Sequence, residues 1–205
     1  MSVPFDLPEV EIERELFALV TRERLARDTA DWDLLGELYW PGSQVRVTWF
    51  TGTIEDFVEI SRDQQRRGRG GSFHIIQPIR CETAGDRAII ESRGQIHLRP
   101  LVRGVRCDVV NWGRFFSRAE RRDGLWRLAS FDSIYGKDRI DPVIPGTTVD
   151  IDAEVLAAGR ASYQVLTYLN RDGGFVVPDN LPGDDDPAGV TAFVTEARRW
   201  MHGLH

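Results

Sequence analysis

The sequence holds a single lysine, Lys137, two cysteines, Cys81 and Cys107, and four histidines in 205 residues. Each shortage removes a class of chemistry. The cysteines have no CxxC spacing and no framework around them, so free thiols in a reducing compartment are expected and a metal site is not. No run approaches the ~18 consecutive apolar residues that a membrane span requires. The N-terminus, MSVPFDLPEVEIERE, lacks a basic region followed by an apolar stretch, so no secretory signal is read and the expected compartment is the cytoplasm. A net charge of -6 argues against a nucleic-acid partner, because phosphate binding needs a positive surface. Apolar residues at 41% and charged residues at 28% are those of a globular protein, long enough for one domain of ordinary size or one domain with an appended segment.

What is present centres on Leu16 to Asp33, LFALVTRERLARDTADWD. Leu16, Phe17, Leu19, Val20 and Leu25 recur at helical spacing and predict a stripe facing a core. The pattern then breaks into Asp28, Thr29, Ala30, Asp31, Trp32 and Asp33. Asp28 is either a turn residue or a buried acid kept for chemistry.

Residues 1–9 are expected to be an extended lead-in to a helix from Pro8 or Glu9 to Asp28. Asp31 can cap a short helix from Trp32 to Tyr39, ended by Pro41 and Gly42. Gln44 to Phe50 alternates as a strand closed by Thr51 and Gly52, and Thr53 to Gln65 reads as a third helix with Thr53 as its cap. Arg66 to Ser72, RRGRGGS, has no GK[ST] ending and leads into a strand, which makes it a mobile loop and not a phosphate cradle. Strands follow at His74 to Glu82, Ala88 to Arg99, Val105 to Ser117 and Leu125 to Tyr135, at hairpin spacing. Helices first and sheet afterwards is an α+β order. Beyond VIPGTT, a helix is expected from Asp152 to Leu169, and a last one begins at Pro187. Its residues Val190, Phe193, Val194, Ala197 and Met201 share a face that should dock on its own domain or on a partner subunit.

His202 and His205 stand at an expectedly frayed terminus, which leaves His74 and His97 for chemistry. Each can equally be a hydrogen-bonded structural histidine. Strand parity sets Glu91, Arg93, Gln95, His97 and Arg99 on one face and Ile90, Ile96 and Leu98 on the other. A functional His97 therefore needs that polar face to line a cavity, or a bulge that re-aims it.

Arg27-Asp28 before Asp31-Trp32-Asp33, Phe73-His74-Ile75, Gly85-Asp86-Arg87-Ala88 and Asp123-Gly124-Leu125-Trp126-Arg127 together give Glu9 to Tyr135 a familiar order. It resembles the SnoaL-like and scytalone dehydratase-like group of the nuclear transport factor 2-like superfamily. The resemblance implies an α+β cone-shaped barrel, a curved antiparallel sheet wrapped around N-terminal helices, over residues 1–140. Residues 141–205 would form a helical extension on the domain or on a partner subunit, in a homodimer or homotrimer. It further implies that Asp28 pairs with His97 and favours its imidazolium, with His74 as a second donor or shuttle and Asn111 polarising a substrate carbonyl. No metal or organic cofactor is then required. Two family tyrosines are replaced here, by Arg27 and Trp49; Trp49 can line the pocket and Tyr39 can supply a hydroxyl. The implied activity is a cofactor-independent lyase acting on a small hydrophobic carbonyl-bearing substrate, such as a steroid, a polyketide or an aromatic catabolite. Dehydration leads, ahead of isomerisation or cyclisation. A non-catalytic binding or dimerisation module, or an oxygenase small subunit, are the alternatives.

Overall fold

The computed structural model describes residues 7–68 and 71–204, with side chains from residue 9 onward. Most of the expected lead-in, Arg69 and Gly70 of the RRGRGGS loop, and His205 lie outside the described residues. Helix α1 (Leu7–Asp28) buries Leu16, Leu19, Val20 and Ala26. Leu25, assigned to the same stripe by its spacing, is instead 60% exposed. It stands nine residues beyond Leu16, about two and a half turns on, and so points to the opposite side. Glu23 and Arg24 take the buried positions of the last turns.

Asp31 caps α2 (Trp32–Glu37) by accepting the Leu34 N–H at 3.2 Å. The helix is shorter than expected, because Tyr39 already opens β1 (Tyr39–Val47) and Pro41 and Gly42 lie inside that strand. Its register on the neighbouring strand shifts between Tyr39 and Gln44, which accommodates a proline and a glycine at a strand's irregular end. The chain then reverses at Thr48 and Trp49 into β2 (Phe50–Thr53), earlier than the Thr51-Gly52 closure that alternation predicts. Trp49 therefore stands at a hairpin tip. Helix α3 (Ile54–Arg66) follows, with Thr53 Oγ1 accepting the Asp56 N–H.

Long strands build the rest: β3 (Phe73–Ala84), β4 (Arg87–Leu98), the short β5 (Leu101–Val102), β6 (Val105–Arg122) and β7 (Leu125–Pro142). Asp123 and Gly124, both at positive φ, make the two-residue turn between β6 and β7. The sheet runs β2-β1-β7-β6-β4-β3, antiparallel except for β1 against β7, with β5 paired to β6. Register shifts at Pro78/Arg80, Trp112/Gly113 and Arg118/Ala119 mark where it bends. The result is a curved, unclosed sheet with the N-terminal helices in its hollow, the α+β cone that the resemblance implies.

The C-terminal segment uses both faces of this sheet. The single helix expected over Asp152 to Leu169 is two, α4 (Ala153–Ala157) and α5 (Gln164–Asp172). Between them Ser162 is clamped: its Oγ donates to Asp185 Oδ1 at 2.9 Å, and its carbonyl accepts from Asn111 Nδ2 at 3.3 Å. These long-range bonds hold the chain out of the helical path. Tyr163, Val165, Leu166, Val177 and Leu181 then pack with Val109 and Tyr135 across the open end of the cone. Helix α6 (Pro187–Met201) covers the convex side, where Ala197 and Met201 meet Ile89, Phe116 and Ile134, with Val190, Phe193 and Val194 beside them.

Candidate active site

The cone encloses a cavity of about 90 Å³. Its polar end is built by the last turns of α1, where Glu23, Arg24 and Arg27 occupy positions that continue the apolar stripe of Leu16, Leu19 and Val20. Arg24 forks onto both carboxylate oxygens of Glu23, at 3.0 and 2.8 Å, and Tyr39 donates its hydroxyl to Glu23 Oε1 at 3.0 Å. The Arg24 guanidinium also lies 4.3 Å from the centre of the Phe131 ring. Burial raises the Tyr39 pKa well above the usual phenol range, with the Glu23 charge adding to the effect. Tyr39 lines the cavity, but the hydroxyl expected to serve a substrate already donates its hydrogen bond to Glu23.

Asp28 ends α1 and meets the start of β3. Its Oδ1 lies 2.5 Å from Nδ1 of His74, and its Oδ2 accepts the His74 backbone N–H at 2.7 Å. A carboxylate only accepts, so Nδ1 carries the ring proton and Nε2 of the neutral ring holds a free pair. Burial pushes the imidazole pKa down to about 4; the Asp28 hydrogen bond and charge oppose this, while the charges of Arg24 and Arg27 add to it. Burial also works against the Asp28 charge, yet the His74 ring and backbone hydrogen bonds, with Arg24 nearby, hold that carboxyl below its usual range. The imidazolium expected beside Asp28 is thus disfavoured, and a neutral base results.

His97 is not the partner of Asp28. In the antiparallel ladder His74 stands opposite Ile96, and both line the cavity, while His97 stands opposite Phe73 on the other face. There its ring stacks on Phe73 at 4.6 Å and 10°, and Nε2 meets Gln95 Oε1 at 2.9 Å. The one irregularity in this pairing falls at Pro78/Arg80, too far along to re-aim it. Asn111 faces inward opposite Ile96, but its amide, expected to polarise a substrate carbonyl, donates to the Ser162 carbonyl of the C-terminal segment instead.

Trp49 lines the cavity as expected and is held by aromatic neighbours: Phe57 at 5.1 Å and, edge on, Phe175 at 6.2 Å. The wall is completed by Phe115, whose ring meets His74 edge to face at 5.7 Å, and by Leu166 and Asn170 of α5. Phe115 can lie over β4 because residue 94 is glycine; a Cβ there would sit 2.6 Å from the ring. Glu23, Arg24, Arg27, Leu166 and Asn170 escaped sequence reasoning. Only the α1 group left a signal, charges in register with an apolar stripe. Among the described residues no cluster of three or more His, Cys, Asp or Glu side chains is placed to hold a metal ion, and no helix is long and apolar enough to cross a membrane.

The fold is thus a curved α+β cone with a part-buried Asp28–His74 pair at the wall of its hollow. Residues 8–132 match the SnoaL-like domain model. The chain belongs to the SnoaL-like family. It is similar to "Pea pathogenicity protein 2" of Fusarium vanettenii, 26% identical over 193 residues, covering 86% of this chain and 80% of that protein. An uncharacterized protein of Emericella nidulans is 25% identical over the same length, with the same coverage. Among solved structures, a hexachlorocyclohexane dehydrochlorinase from Novosphingobium barchaimii shares the fold at a TM-score of 0.55 and 16% identity, over 72% of this chain and 100% of that one. A putative scytalone dehydratase from Novosphingobium aromaticivorans does so at 0.50 and 13%, over 69% and 97%.

Proposed function

We propose that this protein is a cofactor-independent lyase in which His74, oriented by Asp28, removes a proton next to a carbonyl in a small apolar substrate. The observation that carries this reading is the double hold of Asp28 on the His74 ring and backbone, at 2.5 and 2.7 Å, on the wall of a mostly apolar cavity. A neutral imidazole whose Nδ1–H is fixed presents Nε2 as the base. In the proposed step the C–H bond breaks and Nε2 takes the proton. The electron pair becomes the new double bond as the bond to the leaving group breaks, the leaving group departing with its own pair. When that group is hydroxide, the proton on Nε2 passes to it and water is released. Lyases named among the structural neighbours, a dehydrochlorinase and a putative dehydratase, agree with an elimination.

The test is hydrogen–deuterium exchange at the carbon next to the carbonyl, across a panel of small cyclic and aromatic ketones and β-hydroxyketones in D2O. Exchange or elimination that disappears in His74→Gln supports the reading. Binding of the panel with no exchange makes the protein a ligand-binding module instead.

A further inference from the structure

Among the charged groups that line the cavity, Arg27 alone has no hydrogen-bond or ion-pair partner among the described residues. Glu23 is satisfied by Arg24 and Tyr39, and the His74 ring by Asp28, which stands behind it. The Arg27 guanidinium sits between aromatic faces, 5.3 Å from Trp32 and 5.6 Å from Phe57. Burial and the neighbouring charge of Arg24 lower its pKa to about 10, against the pull of Asp28 and Glu23, so it stays a cation. This half-buried cation has no acceptor among the described residues, and it lies on the cavity wall.

We propose that Arg27 holds a carboxylate of the ligand, while the planar apolar part of that ligand rests on Trp49 and Phe57. Two observations meet here. A planar guanidinium matches a carboxylate with two parallel hydrogen bonds, which a phenol cannot supply. Trp49 and Phe57 form a continuous wall beside it, with centroids 5.1 Å apart. The proposal takes the cavity as the ligand site, in keeping with the proton-abstraction reading, and narrows the substrate to an acid-bearing carbonyl compound. An anion at Arg27 would also offset the positive field at His74 and strengthen it as a base.

The experiment compares acetate, phenylacetate and benzoate with their neutral amides, by calorimetry and by tryptophan fluorescence, on the full chain. Carboxylates are expected to bind about tenfold or more tightly than the matching amides. Arg27→Gln and Arg27→Met should erase that preference and leave amide binding unchanged, while Arg27→Lys keeps part of it. Both substitutions remove an unpaired charge, so a melting temperature equal to the wild type or higher confirms that they fold. His74→Gln should lose proton exchange and keep the carboxylate preference, which separates this proposal from the fate of the proton-abstraction reading. If no carboxylate binds more tightly than its amide, or if Arg27→Gln retains the preference, the proposal is wrong.

Discussion

Asp28 holds His74 twice, by ring and by backbone, and so ties the end of α1 to the first turn of β3. One carboxylate thereby fixes the position, the tautomer and the orientation of the same residue. Asparagine can replace only one of those bonds, because its amide nitrogen would face a donor. Asp28→Asn is expected to destabilise the fold by about 1–3 kcal/mol and to slow proton exchange about 100- to 10,000-fold. His74→Gln should match it in rate, and His97→Gln, altering a ring stacked on Phe73 outside the cavity, should leave the rate unchanged. Urea unfolding and exchange rates measured on the three variants check both effects.

Acid sensitivity follows from the same pair. Histidine in an unfolded chain titrates near 6.5, whereas burial lowers His74 to about 4, so the unfolded chain takes up the proton first. The contribution of buried neutral His74 is whole above pH 6.5 and is lost as pH falls from 6.5 to about 4, by up to about 3 kcal/mol. Asp28, also lowered, adds a loss beneath 3.8. Urea midpoints measured from pH 7.5 to 4 should fall steeply in the wild type, and the slope over this window should flatten in His74→Gln.

Gly94 is a packing requirement of the site. In Gly94→Ala the new methyl meets the Phe115 ring, which is buried against Phe131 and His74 and has little room to yield. A loss of about 1–3 kcal/mol is expected, with a changed His74 ring resonance, seen by thermal unfolding and NMR.

Leu166 brings the C-terminal segment into the cavity wall. Leu166→Ala should cost about 2–5 kcal/mol and enlarge the cavity, shifting ligand preference toward bulkier ketones in a binding panel.

The sequence carried much of this architecture. The caps at Asp31 and Thr53, the Asp-Gly turn at Asp123 and the apolar face of α6 were local, and local chemistry decides such features. Asp28 stood out because it broke a stripe. Its partner did not, because pairing Asp28 with His97 overrode the parity that already set His97 on the outer face. The Glu23–Arg24–Tyr39 cluster and the clamp at Ser162 depend on residues far apart in the chain. No periodicity encodes those meetings, and the clamp also broke a helix that local propensity favoured.

Catalysis as proposed needs His74 held by Asp28 as a neutral base, and a nitrogen-resolved NMR titration of the His74 ring tests that most directly. The prediction is a ring protonated at Nδ1 alone at pH 7, titrating at about 4. In Asp28→Asn the mixture of tautomers should change. A ring protonated at Nε2, or one titrating near 6.5 with no response to Asp28→Asn, would contradict a neutral base held by Asp28.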